Sequence, residues 1–485
     1  MRILVRQGVG GRCSNLRRPL VAAAVAAASL LLPALIAPAG AGEFRVILDG
    51  QAAVVRDGNY GQRSLFGDAG DPETVGRAGF DLRLSYDWQR AGLALVYSPS
   101  YEQILEGGDE ERREQDAVAH RLLLGFQGEL TRRLSLSVQE RLFQTPNLDL
   151  YLPPTSPDTV AVARRGDQLA HNLDLGFRYA VTRRASLTLG ASHGLRTFDD
   201  TDLFDTETQG VNLGGAWQLS EFQSLGASAG LGRFEYEDGR EDDVRLLGVN
   251  YTFGFGRDTQ VTLDAGTFSV DSTFLELLVP ESPETPPLPP GEEPPLTPVT
   301  VLREEEETGW RGGIGISQRR ELFSWNLGYR HDLSAGYGLG RAAEADNAYA
   351  GISTALGRNV TVGLDGNISR QRELGDRADR VIAGGATGDD RPLSEFAAGT
   401  LRLGWTVLPS LRLNAGYSRI WQEARVEPFE DLSYSRYFLG LAFRIFSRGE
   451  TPKDPLRPEE REEEGPTGER TDSSGDDEND EPDAQ

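Results

Sequence analysis

Cysteine is almost absent from this chain of 485 residues, since Cys13 is the only one. A single thiol can form neither an internal disulfide nor a zinc site built from several thiolates. Lysine is equally scarce: Lys453 stands alone, and the other basic residues are arginines. Acidic residues outnumber basic ones and give a net charge of −25, which argues against a nucleic acid partner.

Long apolar runs are missing everywhere except near the N-terminus. Five arginines precede an apolar stretch from Leu20 to Ile36, and small residues follow it up to Ala41. This order is typical of a secretory signal peptide, so we predict that residues 1–41 are removed on export. Cys13 leaves with this leader, and the exported chain then contains no cysteine. Nothing after Ala41 is apolar over a length that would let a helix cross a bilayer.

The rest of the chain is built from segments in which every second residue is apolar. About eighteen such segments follow one another up to Phe446, and turn residues separate them. One pair of segments flanks Thr131-Arg132-Arg133, and a second pair flanks Thr182-Arg183-Arg184. Long stretches with helical periodicity are absent, so a helical or α/β fold fits this sequence poorly.

The connections between these segments alternate strictly between short and long. Outer-membrane barrels have this asymmetry, with short periplasmic turns and long extracellular loops. The sequence therefore predicts an all-β fold, a transmembrane antiparallel up-and-down β-barrel over residues 42–446. Eighteen strands are expected, or sixteen if the segment 45–55 does not join the barrel.

Two regions are predicted to lie outside the barrel wall. Residues 273–307 are rich in proline and glutamate and are expected to form an extended extracellular loop. Residues 447–485 contain fifteen acidic and five basic side chains. This composition predicts a disordered acidic tail on the periplasmic side.

Strand parity predicts which charged side chains line the lumen. The inward-facing candidates are Arg83, Arg121, Arg141, Arg178, Arg245, Arg330, Arg402, Arg412, Arg444, Asp174, Asp264 and Asp365. Guanidinium groups beside carboxylates provide a field and hydrogen-bond donors for polar solutes. The alternative is that these groups simply pair with one another.

Aromatic residues with outward parity cluster near the short turns, where an interfacial girdle belongs. They are Trp88, Tyr179, Trp217, Phe255, Phe323, Trp405 and Phe443. The last strand carries Gly440, Phe443 and Ile445 in an order similar to the terminal β-signal that the barrel insertion machinery reads.

Residues 42–446 resemble the beta-barrel porin 2 family and related outer-membrane barrels associated with exopolysaccharide gene clusters. The resemblance lies in "VVRDGNYGQRSLFGD", "SYDWQRAGLALVYSPSYE" and "AHRLLLGFQGELTRRLSLSVQERLFQTPNLDL". It implies a location in the outer membrane of a Gram-negative bacterium and a role in polymer export. It implies no catalytic residues.

The leading functional hypothesis is an outer-membrane channel that exports exopolysaccharide or passes polar solutes. The alternative is a non-conducting scaffold or surface-display barrel that acts through its loops and tail. A lipid hydrolase is a remote third possibility, because His171 and His193 should lie opposite each other, although Ser192 has inward parity.

The partners implied by this interpretation belong to a membrane protein. They are outer-membrane lipid and lipopolysaccharide, the barrel insertion machinery, and polysaccharide or periplasmic export proteins. Motifs for phosphate binding, zinc binding or a catalytic nucleophile are missing, and the acidic runs lack the spacing of a calcium loop. We therefore expect no enzyme, no cofactor and no metal.

Overall fold

The computed structural model describes residues 43–58, 73–107, 117–147, 165–198, 204–256, 258–278, 299–335, 342–374, 394–424 and 432–448. The predicted leader, residues 279–298 and the tail beyond Arg448 lie outside this range. Eighteen β-strands account for nearly all of the described chain. They are β1 (Glu43–Asp57), β2 (Glu73–Trp88), β3 (Ala91–Glu106), β4 (Ala117–Glu129), β5 (Leu134–Asn147), β6 (Arg165–Ala180), β7 (Ala185–Phe198), β8 (Thr206–Ser220), β9 (Gln223–Tyr236), β10 (Glu241–Phe255), β11 (Thr259–Leu278), β12 (Val299–Arg319), β13 (Phe323–Ser334), β14 (Ala343–Leu356), β15 (Val360–Glu373), β16 (Ser394–Leu408), β17 (Leu411–Ala424) and β18 (Leu432–Arg448).

These strands form one closed antiparallel barrel. Each strand pairs with the strands before and after it in sequence, and β1 pairs with both β2 and β18. Closure leaves no unpaired sheet edge. The predicted up-and-down barrel of eighteen strands is confirmed. The sixteen-strand alternative is wrong, because β1 is part of the wall. Among the described residues, no helix is long and apolar enough to cross a membrane.

The two Thr-Arg-Arg segments are tight turns with the same geometry. The Thr131 hydroxyl accepts hydrogen bonds from the main-chain N–H groups of Arg133 and Leu134, at 3.2 and 3.0 Å. In the second turn, the Thr182 hydroxyl accepts the equivalent bonds from Arg184 and Ala185, at 3.1 and 3.0 Å. A threonine side chain that satisfies the turn's own backbone donors explains why the motif recurs.

Short and long connections lie at opposite ends of the barrel, as the sequence indicated. Turns such as Gln89-Arg90 and 409–410 close one end, which we name the short-turn end; the other is the long-loop end. The connection 237–240 lies at the long-loop end but is a hairpin of only four residues.

The loop predicted over residues 273–307 is much shorter than expected, and that boundary was wrong. Strand β11 continues to Leu278 and β12 begins at Val299, with Thr273 paired to Glu304 and Leu278 to Val299. The run of glutamates from Glu304 to Glu307 interrupts the apolar alternation that indicates a strand. Backbone pairing continues through it because β11 and β12 align in register.

Contacts across the barrel show which face is the interior. The Tyr236 hydroxyl on β9 donates a hydrogen bond to the Ala335 carbonyl after β13, at 3.0 Å. Residues of strands so far apart can touch only inside the cylinder. Because directly paired residues share a face, the register then assigns every other position. The opposite face exposes large apolar side chains such as Leu213, Leu247 and Leu439.

Candidate functional site: the interior of the barrel

Charged side chains line one part of the inner surface, formed by β15–β18, β1 and β2. Arg402 of β16 pairs with Asp365 of β15. Across the closing seam, Arg444 of β18 pairs with Asp49 of β1 at 3.2 Å. We name this region the charged wall; its members are Asp365, Arg402, Arg412, Arg444, Asp49, Asp81 and Arg83.

Other predicted lumen arginines also lie on the inner face, and several have local partners. Arg330 lies 2.7 Å from Asp332, and Arg83 lies 3.7 Å from Asp81. The remaining contacts are those of Arg412 with Thr361 at 3.4 Å, of Arg141 with Gln139 at 3.1 Å and of Arg121 with the Phe143 ring at 5.6 Å. Pairing and lumen lining, the two alternatives raised by the sequence, therefore occur together.

The remaining predicted lumen residues, Asp174, Arg178 and Asp264, lie in two other regions of the inner face. Asp174 and Arg178 face inward on β6, opposite Ser192 and Thr188 of β7. Asp264 faces inward on β11. With Arg330, Asn326, Asn347 and Tyr349, among other residues, it lines a recess of about 440 Å³.

Arg245 was predicted to line the lumen, and the structure contradicts this assignment. It pairs in register with Leu231 and shares the outer face with Leu247 and Val249 of its own strand. Its guanidinium group lies 2.9 Å from Asp271 on the neighbouring strand. Close to the long-loop end, charged pairs replace apolar residues on the outer face. The polarity of a side chain there no longer indicates which face of the barrel it lies on.

Strands β8 and β9 form a second region, which we name the neutral wall. Its inner face, as the structure describes it, carries glycine, serine, threonine, asparagine and no charged side chain. Asn250 of β10 lies over Gly226, where any Cβ would collide with its amide group. Because these residues are small, they leave space on this side of the lumen, and their hydroxyl and amide groups can form hydrogen bonds with a solute.

A constriction at the long-loop end was not foreseen from the sequence. The N–H of Ala342 donates a hydrogen bond to the buried Asp242 carboxylate of β10, at 3.0 Å. Together with the Tyr236 contact, this bond draws both ends of the β13–β14 connection into the lumen. Beside it lies a buried cluster formed by Val244, Phe268, Val270, Ala342 and Leu374. One sequence signal could have indicated this constriction: Val244, Phe268 and Val270 are apolar although their strand parity predicts that they face the lumen.

All seven aromatic residues proposed for the girdle lie on the outer face near the short-turn end. Trp88 packs against Tyr86 and Phe126, with ring centroids 5.1 and 6.2 Å apart. Trp217 and Phe255 are more than half exposed. A second set, missed in the sequence, lies on the same face closer to the long-loop end and includes Trp310, Trp421 and Tyr437.

The residues of the proposed β-signal lie where the barrel closes. The Phe443 ring covers Gly50 of β1, where a Cβ would stand 2.5 Å from the ring. Gly440 faces inward, whereas Phe443 and Ile445 face outward. Their role as an insertion signal stays a prediction.

Three of the four histidines, His171, His193 and His331, lie close to a carboxylate on the outer face. His193 lies 3.1 Å from Glu207, and His171 lies 3.4 Å from Glu140. Ser192 pairs with Asp174 on the inner face, so its hydroxyl does not meet either imidazole. The serine–histidine arrangement that a lipid hydrolase would need is not assembled here. Among the described residues, no cluster of His, Cys, Asp and Glu could hold a metal ion.

Comparisons with known proteins give a likeness to outer-membrane porins at low similarity. No family model matches the chain, and no curated protein does. Among solved structures, Pseudomonas aeruginosa OpdK with vanillate is 11% identical, with 84% of this chain and 99% of that one covered and a TM-score of 0.41. Acinetobacter baumannii OccAB3 is also 11% identical, with 84% and 100% covered and a TM-score of 0.42. A BenF-like porin from Pseudomonas fluorescens Pf-5 is 10% identical, with 84% and 99% covered and a TM-score of 0.42.

None of these three is an exopolysaccharide-associated barrel, so that finer resemblance finds no support. Similarity at this level says nothing about the solute.

Proposed function

We propose that this protein is a passive outer-membrane channel for small polar solutes. The observation that carries the proposal is the contrast between the two faces of a closed barrel. The outer face exposes leucine and aromatic side chains, whereas the inner face combines the charged wall with the neutral wall. Such a cylinder suits lipid outside and water inside.

The outer face supports a membrane location on energetic grounds. Soluble monomers rarely expose contiguous apolar patches above a few hundred Å², and each Å² left in water costs roughly 25 cal/mol. Here large exposed apolar side chains occur on strands all around the barrel. Lipid and lipopolysaccharide are the partners that such a surface would take, and the barrel insertion machinery is the partner that assembly would need.

The dimensions favour small solutes over a polymer. With a strand spacing of about 4.8 Å and a tilt of about 40°, eighteen strands make a barrel about 35 Å across between backbones. The constriction formed where Ala342 bonds to Asp242 narrows this space at the long-loop end. Export of exopolysaccharide, the first hypothesis from the sequence, would require that constriction to open.

Single-channel recording in planar bilayers tests the proposal. Purified, refolded protein should conduct, and small sugars or carboxylates should reduce the current when they enter. Polymer export would instead show as current block by long oligosaccharides threaded through the pore. Absence of conductance from correctly folded protein would refute the channel.

One structural observation favours the alternative, a non-conducting scaffold barrel. Ala335 and Ala342, which flank the β13–β14 connection, lie inside the lumen, as a barrel closed at this end would require. In that case, release of the Asp242 contact would be needed before any current appeared.

A further inference from the structure

A recess in the inner face lies about midway between the two ends of the barrel, and we name it the central recess. It has a volume of about 440 Å³, and strands β11 to β14 line it. Tyr349, which contributes to the lining, stands at the middle of β14. A solute that passes from one mouth of the barrel to the other therefore crosses the level of this recess.

Glycines form the floor of the central recess. Two adjacent rows of paired, inward-facing residues cross the four strands: Asp264, Gly313, Arg330 and Asn347, and then Thr262, Gly315, Gly328 and Tyr349. On the two middle strands, glycine occupies three of the four positions. The floor is therefore bare backbone, and the side chains stand around it.

The ring of Tyr349 lies across this floor. A Cβ added to Gly328 would overlap the phenol ring, and one added to Gly315 would stand 3.6 Å from the hydroxyl oxygen. The tyrosine side chain thus extends over β13 toward β12, and it is partly exposed to the lumen. Aromatic faces carry partial negative charge and attract the positively polarised edges of neighbouring groups, such as the C–H groups of a sugar ring.

Polar groups surround the floor. The Asp264 carboxylate lies beside it, with Oδ1 2.9 Å from the position that a Cβ of Gly313 would take. Within the part of the chain that the structure describes, neither this carboxylate nor the Asn326 amide is hydrogen-bonded to another residue. Both groups can therefore form hydrogen bonds with a ligand without breaking an existing contact.

The charges around the recess favour a neutral ligand. Arg330 lies 2.7 Å from Asp332, which Arg311 also contacts at 3.3 Å, so these three groups carry one net positive charge. Asp264 balances that charge. An anion would meet the Asp264 carboxylate, and a cation would meet the Arg330 guanidinium group. A hydroxyl group both donates and accepts hydrogen bonds, so a polyhydroxylated ring can satisfy carboxylate, amide and guanidinium groups together.

We propose that the central recess binds one ring of a neutral sugar. The apolar face of the ring packs on Tyr349, and its hydroxyl groups form hydrogen bonds with Asp264, Asn326 and Arg330. The proposal rests on the channel function, because it names the class of solute that the lumen selects. Binding is weak, since a conducted solute must also leave the site.

Saturation-transfer NMR measures such weak binding without any current. The folded protein in nanodiscs would be titrated with glucose, and glucuronate and glucosamine would serve as an anionic and a cationic sugar with a similar ring. Glucose should bind most tightly. Tyr349→Ala should weaken glucose binding about tenfold, because the stacking surface is lost. Tyr349→Phe keeps the ring and should retain most of the affinity.

The carboxylate has a matched control on its own strand. Asp264→Ala should weaken glucose binding, whereas Asp271→Ala removes a carboxylate that pairs with Arg245 on the outer face and should leave binding unchanged. Migration on unheated gels shows that each variant is folded. Equal effects of the two variants, tighter binding of glucuronate than of glucose, or a folded wild-type barrel that binds no glucose would overturn the proposal.

Failure of the sugar site and failure of the channel give different results. A barrel that conducts ions but shows no saturation transfer to glucose would refute the site alone. A folded barrel that binds glucose but carries no current would refute the channel and leave the sugar binding in place.

Discussion

At the residue scale, neighbouring aspartates on β10 have opposite surroundings. Asp242 is buried in the lumen, where it accepts a hydrogen bond from Ala342, whereas Asp243 lies on the outer face and pairs with Arg233 at 2.8 Å. We expect Asp242→Ala, which removes the acceptor, to release the contact of Ala342 with β10 and raise single-channel conductance. Asp243→Ala, the control, should leave conductance unchanged because its pair lies outside the lumen. An unchanged current in Asp242→Ala would show that this bond does not hold the constriction.

The charged wall predicts a change in ion selectivity. Arg444→Gln leaves the Asp49 carboxylate on the inner face without its pair, so the lumen becomes more negative and preference for cations should rise. The reversal potential across a KCl gradient measures this. Stability should change by at most about 1 kcal/mol, since the pair is partly exposed.

Arg419 provides the control for that experiment. It lies on the outer face, where it donates hydrogen bonds to Ser433 and Ser435 at 2.6 and 3.0 Å. Arg419→Gln removes the same charge without touching the lumen. A shift equal to that of Arg444→Gln would mean that the selectivity does not come from the inner face.

At the scale of single elements, the threonine turns account for the short-turn end. Thr182→Ala removes the acceptor for two main-chain N–H groups. We expect a loss of about 1–3 kcal/mol, at roughly 0.5–1.5 kcal/mol per hydrogen bond. Urea unfolding in lipid vesicles measures it, and Thr182→Ser, which keeps the hydroxyl, should retain the stability. An Ala variant as stable as the Ser variant would refute this role.

The closing pair of strands predicts a packing requirement at one glycine. Gly50→Val would drive a side chain into the Phe443 ring, so the seam between β1 and β18 should fail to form. Gly399→Val, also on the outer face, meets nothing within 4 Å and serves as the control. Folded barrels migrate differently from unfolded chains on unheated gels, which reports closure. Normal folding of Gly50→Val would show that the ring can move aside.

At the scale of the whole molecule, all six tryptophans lie on the outer face. They are Trp88, Trp217, Trp310, Trp325, Trp405 and Trp421. If that face meets lipid, brominated acyl chains should quench most of the fluorescence, and shallow bromines should quench more than deep ones. Aqueous iodide should have little effect. Strong iodide quenching with no effect of brominated lipid would refute the membrane location.

Much of the fold was determined by the sequence alone. Strict alternation and strictly alternating loop lengths predicted the strands, their number and the two faces, because both are local properties of the chain. The Thr-Arg-Arg turns were located correctly for the same reason. Assignment by parity failed at Arg245, where the outer face is no longer apolar, and at 273–307, where strand pairing continues through glutamates.

Only the tertiary structure decided how the interior is arranged. The bonds from Tyr236 to Ala335 and from Ala342 to Asp242 join residues about a hundred positions apart, and no local pattern encodes such contacts. The charged wall likewise depends on closure, since Arg444 and Asp49 become neighbours only where the last strand pairs with the first. Local periodicity determines which face of a strand is polar. Closure of the barrel determines which of these polar residues become neighbours in the lumen.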